Sequence, residues 1–242
     1  MAEGLGTLVA TLAADLPISL NTTVSQVDST GQGVSVETNA GTITGRACLV
    51  TVATGVLASG AIKFDPPLST TKQTAIHDLP MGLLVKVPLL FDGARLDLKD
   101  NEWMSYDIPD VSPTRACFFI TWPFGYNYVF GNIGGVFGWE LSREGPEATV
   151  DFALEEMVKQ VGSDARKHFI KGIATDWATN PLTHGAYSAV KPGCVGAREV
   201  LSEPIADKLF FAGEATGGNR SALVNGAYES GQKAAKAISK IL

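Results

Sequence analysis

Cysteine and histidine are scarce, three of each in 242 residues. Cys48, Cys117 and Cys194 lie far apart without C-x-x-C spacing. That excludes the usual zinc spacing and a disulfide framework, and it suits a reducing compartment, so a cytoplasmic location is expected. The three read as ordinary buried or half-buried thiols. Lysine and arginine never form a run and the formal net charge is −6, so a nucleic-acid backbone or an anionic membrane finds no basic patch. No apolar stretch approaches the roughly 20 residues of a membrane-spanning helix. The opening Met1-Ala2-Glu3-Gly4-Leu5-Gly6 lacks a basic n-region and Asp15 interrupts the apolar stretch behind it, a poor signal peptide. No metal-ligand cluster, internal repeat or low-complexity tract is visible. The G-x-G-x-x-G turn that opens a dinucleotide-binding fold is also absent.

What remains is 45% hydrophobic and 18% charged, the balance of a soluble globular chain with a substantial core. Leu5, Leu8, Val9, Leu12 and Leu16 recur at helical spacing until Pro17. The period then changes to two: Ile18–Leu20, Thr23–Val27, Val34–Thr38 and Thr42–Ala47 read as short strands joined by polar and glycine turns. Cys48-Leu49-Val50-Thr51-Val52 is apolar on both faces, as a covered central strand would be. Phe64-Asp65-Pro66-Pro67-Leu68 reads as an irregular connector. A short helix is expected over Thr70–Leu79, a strand over Gly82–Phe91 with one charge at Lys86, and loops from Ala94 to Arg115. Ala116–Trp122, Tyr128–Gly134 and Phe137–Leu141 read as aromatic strands of an antiparallel sheet. Helices are expected over Thr149–Val161 and Asp164–Phe169, and Trp177–Tyr187 reads as strand then loop. The fold class is therefore α+β with two interleaved lobes, divided at 1–75, 76–178 and 179–242.

The chain is organised around Leu209-Phe210-Phe211-Ala212-Gly213-Glu214-Ala215-Thr216-Gly217-Gly218. It reads as a buried strand, a glycine turn and, from Ala222, a last helix whose small-sided face carries Leu223, Ala227, Ser230, Ala234 and Ile238. Such a junction leaves helix N–H groups unpaired and favours an anion or electron-rich ring, although many such junctions hold nothing.

In order along the chain, these segments resemble the flavin-containing amine oxidase family, the monoamine and polyamine oxidases. The resemblance rests on Thr23–Val27; on Thr51–Leu57 leading to Ile62–Leu68; on Leu79–Lys86; and on Gly185–Ser188 through Phe210–Thr216 to Asn225–Tyr228. It covers the C-terminal half to two-thirds of such an enzyme. It implies FAD as cofactor and a small-molecule amine as substrate, oxidised to an imine with oxygen as acceptor and hydrogen peroxide released. It implies that Val24 holds the adenine through its backbone, that Thr51 passes the cofactor, that Gly213 and Glu214 border its ribityl and phosphate region, and that Val224 meets the flavin pyrimidine end. Lys86 matches the lysine that holds a water at flavin N5, Tyr187 matches one wall of an aromatic cage that orients the amine, and Trp177 matches a tryptophan at the flavin edge.

Each of these residues also has a plain structural reading. Lys86 snorkels from a strand end, and Tyr187 and Trp177 fill a core. His184 reads as a loop residue. The chain departs from the family where the second cage wall falls on Leu223 instead of an aromatic ring, where Ala53 replaces a frequent proline, and where the pyrophosphate-binding turn is missing. The alternative is a catalytically inert fragment, or a subunit that needs a separate chain or segment to supply the nucleotide-binding part.

Overall fold

A computed structural model describes residues 4–104 and 114–241. It opens with α1 (Gly4–Ala13), followed by β1 (Val24–Asp28), β2 (Val34–Thr38) and β3 (Gly41–Gly45), an antiparallel meander. β4 (Cys48–Val50), α2 (Thr54–Ser59), β5 (Lys63–Asp65) and α3 (Thr70–His77) come next. Then come β6 (Met81–Gly82), β7 (Leu84–Phe91), β8 (Trp103–Met104), β9 (Phe118–Thr121), β10 (Tyr128–Gly134), α4 (Gly135–Glu144), α5 (Pro146–Val161), α6 (Asp164–His168) and β11 (Phe169–Gly172). The chain closes with β12 (Tyr187–Ser188), α7 (Ala197–Ser202), β13 (Leu209–Phe211) and α8 (Val224–Ile238). The fold is α+β, with mixed and antiparallel sheets.

Two hydrophobic cores form. The first lies under a five-stranded antiparallel sheet of order β11-β7-β10-β9-β8. β7 alternates strictly, with Val85, Val87, Leu89 and Phe91 buried against α4 and α5 through Phe137, Leu141, Ala153 and Met157, and Lys86 on the open face. The open face of β10 carries a row of rings, Tyr128 at 5.0 Å from Phe130 edge to face and stacked on Tyr126 at 5.7 Å. The second core gathers Val27, Val50, Ile76, Leu79, Leu201, Leu209 and Phe211. Its centre is the parallel pair β4–β13, with Leu209, Phe210 and Phe211 all buried, as the apolar run required.

Lys72 joins α3 to α7 in this second core. Its Nζ donates to the carbonyls of Val200 at 2.8 Å, Leu201 at 3.1 Å and Glu203 at 2.5 Å, and lies 4.5 Å from the centre of the Phe211 ring. Carbonyls gathered at a helix C-terminus make a natural seat for an ammonium. Burial nevertheless pushes its pKa down to about 8, with Glu203 opposing.

Several expectations are corrected. Phe137–Leu141 is part of helix α4: Gly135, at φ +65°, ends the strand, and Phe137, Gly138 and Leu141 are buried at helical spacing. A short apolar run does not itself separate the two periods. Ile18–Leu20 forms no strand and both apolar residues are exposed. Phe64 and Asp65 belong to β5, parallel to β1, because the residue before a proline favours the extended backbone a strand needs. The helix at Asp164 stops at His168, and Phe169 opens β11. Trp177–Thr183 is a set of hydrogen-bonded turns, with strand only at Tyr187–Ser188. The last helix starts at Val224, after two single-turn 3-10 segments, Glu214–Thr216 and Gly218–Arg220. Of the loop expected over Ala94–Arg115, Trp103–Met104 pairs with β9, and residues 105–113 lie outside the described residues. The stripe on α1 is helical, but none of its residues is buried.

Candidate functional site

A cleft of about 380 Å³ opens at the carboxyl ends of β4 and β13. One wall is Val50 to Ala53 and the other is Phe211 to Thr216, with Met81, Trp177 and Ala186 across from them and Ala227 and Gly231 of α8 behind. This is where ligands bind in parallel α/β units, because strand ends and helix starts converge there. The volume lies in the lower part of the roughly 300–1,000 Å³ range of small-molecule sites.

The turn that forms the wall is fixed by its own backbone. Gly213 has φ +132°, a conformation side-chain-bearing residues rarely adopt. Its N–H donates to Ser230 Oγ of α8 at 3.2 Å, and its carbonyl accepts from Thr216 Oγ1 at 3.1 Å. Glu214 accepts from the Ser188 N–H and Oγ–H and from the Ala222 N–H, each at 2.9 Å. Three of the roughly four lone-pair directions of that carboxylate are thus used within the chain.

A second cleft of about 320 Å³ is lined by Val24, Val27, Cys48, Ile62 and Leu182 and shares Val50, Thr51 and Val52 with the first. Thr51 and Val52 are the exposed residues between them. The structure therefore brings Thr51, Trp177, Gly213 and Glu214 to one cleft and Val24 with Thr51 to its neighbour.

Other predicted residues stand at the margins. Ala186 lines the first cleft while Tyr187, next on β12, turns away and lays its ring over Gly82, where an added Cβ would meet Cε2 at 3.7 Å. Leu223 and Val224 are exposed at the start of α8, where Leu223 supplies no side-chain cap for the first N–H groups. Lys86 is on the open face of the five-stranded sheet, its Nζ 5.7 Å from the centre of the Phe130 ring. Among the described residues no carboxylate pairs with it. His184, at φ +55°, sits in the turn before Gly185.

Sequence reasoning missed Ser188 and Arg198, which hold Glu214 in place. Arg198 donates to Ser188 and to Ala215, and burial lowers its pKa while Glu214 and Glu199 oppose the shift. No local signal marks Arg198, since its partners lie 10 and 17 residues away.

The residues present fit a flavin at the first cleft in part. Apolar walls at Val52, Leu57, Met81 and Trp177 suit a ring system, and a helix start without a side-chain cap stands beside the turn.

Comparison with known proteins places the chain in a family. The sequence model of the family described as flavin containing amine oxidoreductase matches residues 1–239. The chain is 33% identical over 241 residues to lysine-specific histone demethylase 1 homolog 1 of Oryza sativa subsp. japonica, covering 95% of this chain and 28% of that protein. It is 32% identical to polyamine oxidase 4 of the same organism over 97% of this chain and 48% of that protein. It is also 32% identical to lysine-specific histone demethylase 2 of Homo sapiens over 98% of this chain and 30% of that protein. The chain thus spans between 28% and 48% of the length of these three relatives. With a family match across nearly its whole length, the chain belongs to the flavin-containing amine oxidoreductases.

Proposed function

We propose that this chain forms the flavin- and amine-facing part of an FAD-dependent amine oxidase. The observation that carries the reading is the convergence of Thr51, Trp177, Gly213 and Glu214 on one cleft at the ends of two parallel strands. When bound, FAD supplies the acceptor for the hydrogen lost from the carbon beside the amine nitrogen, and passes the electrons to oxygen with release of hydrogen peroxide. The chain's own residues bind and orient. Thr51 and the Gly213–Thr216 turn border the cofactor, Val24 holds the adenine end through its backbone, and the start of α8 at Val224 directs a positive dipole end at the flavin pyrimidine. Trp177 closes the edge of the cleft against water. Lys86 holds a water for proton exchange, and the ring of Tyr187 orients the amine. Leu223 stands at the position where the family's second aromatic cage wall falls, which leaves one aromatic wall and favours amines with an apolar flank.

A second reading has its own support. Among the described residues the β4–β13 pair is a two-stranded sheet, apolar on both faces, whereas parallel strands are normally flanked and covered. On this reading the chain holds FAD only when a further segment or partner chain supplies the pyrophosphate-binding turn. The purified chain titrated with FAD and followed by visible absorption separates the two: a stoichiometric yellow complex supports the first, and a colourless chain the second. Absence of peroxide release across a broad amine panel, with flavin bound, would sink the assignment of an amine substrate.

A further inference from the structure

Three stretches far apart in the sequence meet on two charged side chains beside the cleft. Arg198, in the first turn of α7, donates from Nη1 to Ser188 Oγ at 2.7 Å and to the Ala215 carbonyl at 2.8 Å, and from Nη2 to the Ser188 carbonyl at 3.2 Å. Glu214 takes the Ser188 N–H and Oγ–H and the Ala222 N–H. Ser188 is only 3% exposed, and its N–H, hydroxyl and carbonyl are all engaged by this pair. Buried polar groups matched in this way are costly to leave half paired.

The position of these partners gives the arrangement its consequence. Ser188 follows Tyr187 on β12, Ala222 precedes Leu223, and Ala215 lies within the cleft wall. One node therefore fixes the strand of one flank, the turn and the helix start of the other. α7 is itself held from behind by Lys72, so Arg198 acts from an anchored base. A guanidinium fork reaches two acceptors in a fixed plane, which an ammonium does not.

We propose that Arg198 is a positioning residue that, through Ser188 and Ala215, sets the spacing between the strand carrying Tyr187 and the turn and helix start carrying Gly213 and Leu223. Arg198 lines neither cleft, and it acts on their shape. The functional side of this inference rests on reading the first cleft as the flavin site.

The test is amide hydrogen exchange on the full chain without flavin, for the unsubstituted protein, R198A, R198K and S188A. In R198A the Ser188 and Ala222 amides exchange together, about tenfold faster, as expected for loss of a buried hydrogen-bonded brace. R198K gives a smaller, equally paired rise, and guanidinium restores both amides in R198A where equimolar sodium chloride does not. Unchanged exchange at Ala222, or an equal acceleration in the amides of β10, overturns the proposal. Where R198A does not fold, R198K and S188A carry the same criterion of paired acceleration. FAD titration of the same proteins keeps the two readings apart. Paired exchange in a chain that binds no FAD retains the brace and removes the first reading, that this chain alone holds the flavin. A chain that binds FAD with affinity and flavin circular dichroism unaltered by R198A removes Arg198 from any control of the cleft.

Discussion

The main chain of Lys86 exchanges two hydrogen bonds with Thr175: the Lys86 N–H donates to Thr175 Oγ1 at 3.0 Å, and the Thr175 N–H donates to the Lys86 carbonyl at 3.0 Å. Thr175 stands two residues before Trp177, so the strand that presents the lysine is tied to a segment that lines the cleft. Thr175→Val removes one of the two bonds and is expected to cost about 1 kcal/mol in urea denaturation, with Thr175→Ser close to the unsubstituted protein.

Lys86 itself is exposed, and its Nζ lies over the Phe130 ring at 5.7 Å from the ring centre, a weak contact in an exposed setting. Lys86→Met is therefore expected to leave the urea midpoint within about 0.5 kcal/mol. If the lysine handles protons as proposed, the same change lowers kcat for amine oxidation in the flavin-loaded protein by about 100-fold. Peroxide release beside a denaturation curve reads both quantities, and an unaltered kcat removes the assignment.

Two glycines of α8 give opposite outcomes. A Cβ on Gly226 would stand 1.9 Å from the Arg220 carbonyl oxygen, whereas one on Gly231 meets nothing within 4 Å. Gly226→Ala is expected to destabilise by about 2–3 kcal/mol because the helix start and the 3-10 turn before it must separate. Gly231→Ala is expected to stabilise by about 0.5–1 kcal/mol through helix propensity alone. Thermal unfolding of the two variants, side by side, checks the sign of each.

Lys72 gives a pH signature. Its pKa in the fold is about 8, below its ordinary 10.5, so between those values the unfolded chain binds the extra proton and the folded chain does not. Stability contributed at this site therefore rises as pH climbs from about 8 to about 10.5, and is lowest below 8, where the folded chain holds the ammonium charged. The neutral amine keeps two N–H donors for the carbonyls of α7, so the contact survives the loss of the proton. Urea midpoints for the unsubstituted protein are expected to gain on those of Lys72→Met across this window. A constant difference between the two would exclude the effect.

The parts of the fold legible in the sequence are those whose signal is local and chemical. The unbroken apolar runs at Cys48–Val50 and Leu209–Phe211 announce buried strands, and they pair with each other. The otherwise apolar run around Lys86 announces a strand carrying one charge, and the structure puts that charge on the strand's open face. Legibility fails where a run is too short to carry a period, as at Phe137–Leu141, or where packing selects among allowed conformations, as in the turns around Trp177. It fails also for Arg198 and Ser188. Their importance lies in hydrogen bonds to Glu214 and Ala215, residues that chain order keeps apart and the fold brings together. The grouping of Thr51, Gly213 and Glu214 came from resemblance to a family, since no spacing rule joins positions so distant.

The commitment of the Gly213 backbone matters most to anyone wishing to redesign this cleft. With φ at +132°, its N–H engaged by Ser230 and its carbonyl by Thr216, position 213 offers a protein engineer almost no alphabet beyond glycine. The rest of the lining is different, for Ala53 and Ala186 line the same space with short side chains. Saturation libraries aimed at a new ligand shape belong there, with the glycine turn left untouched as the fixed edge against which the new wall is fitted.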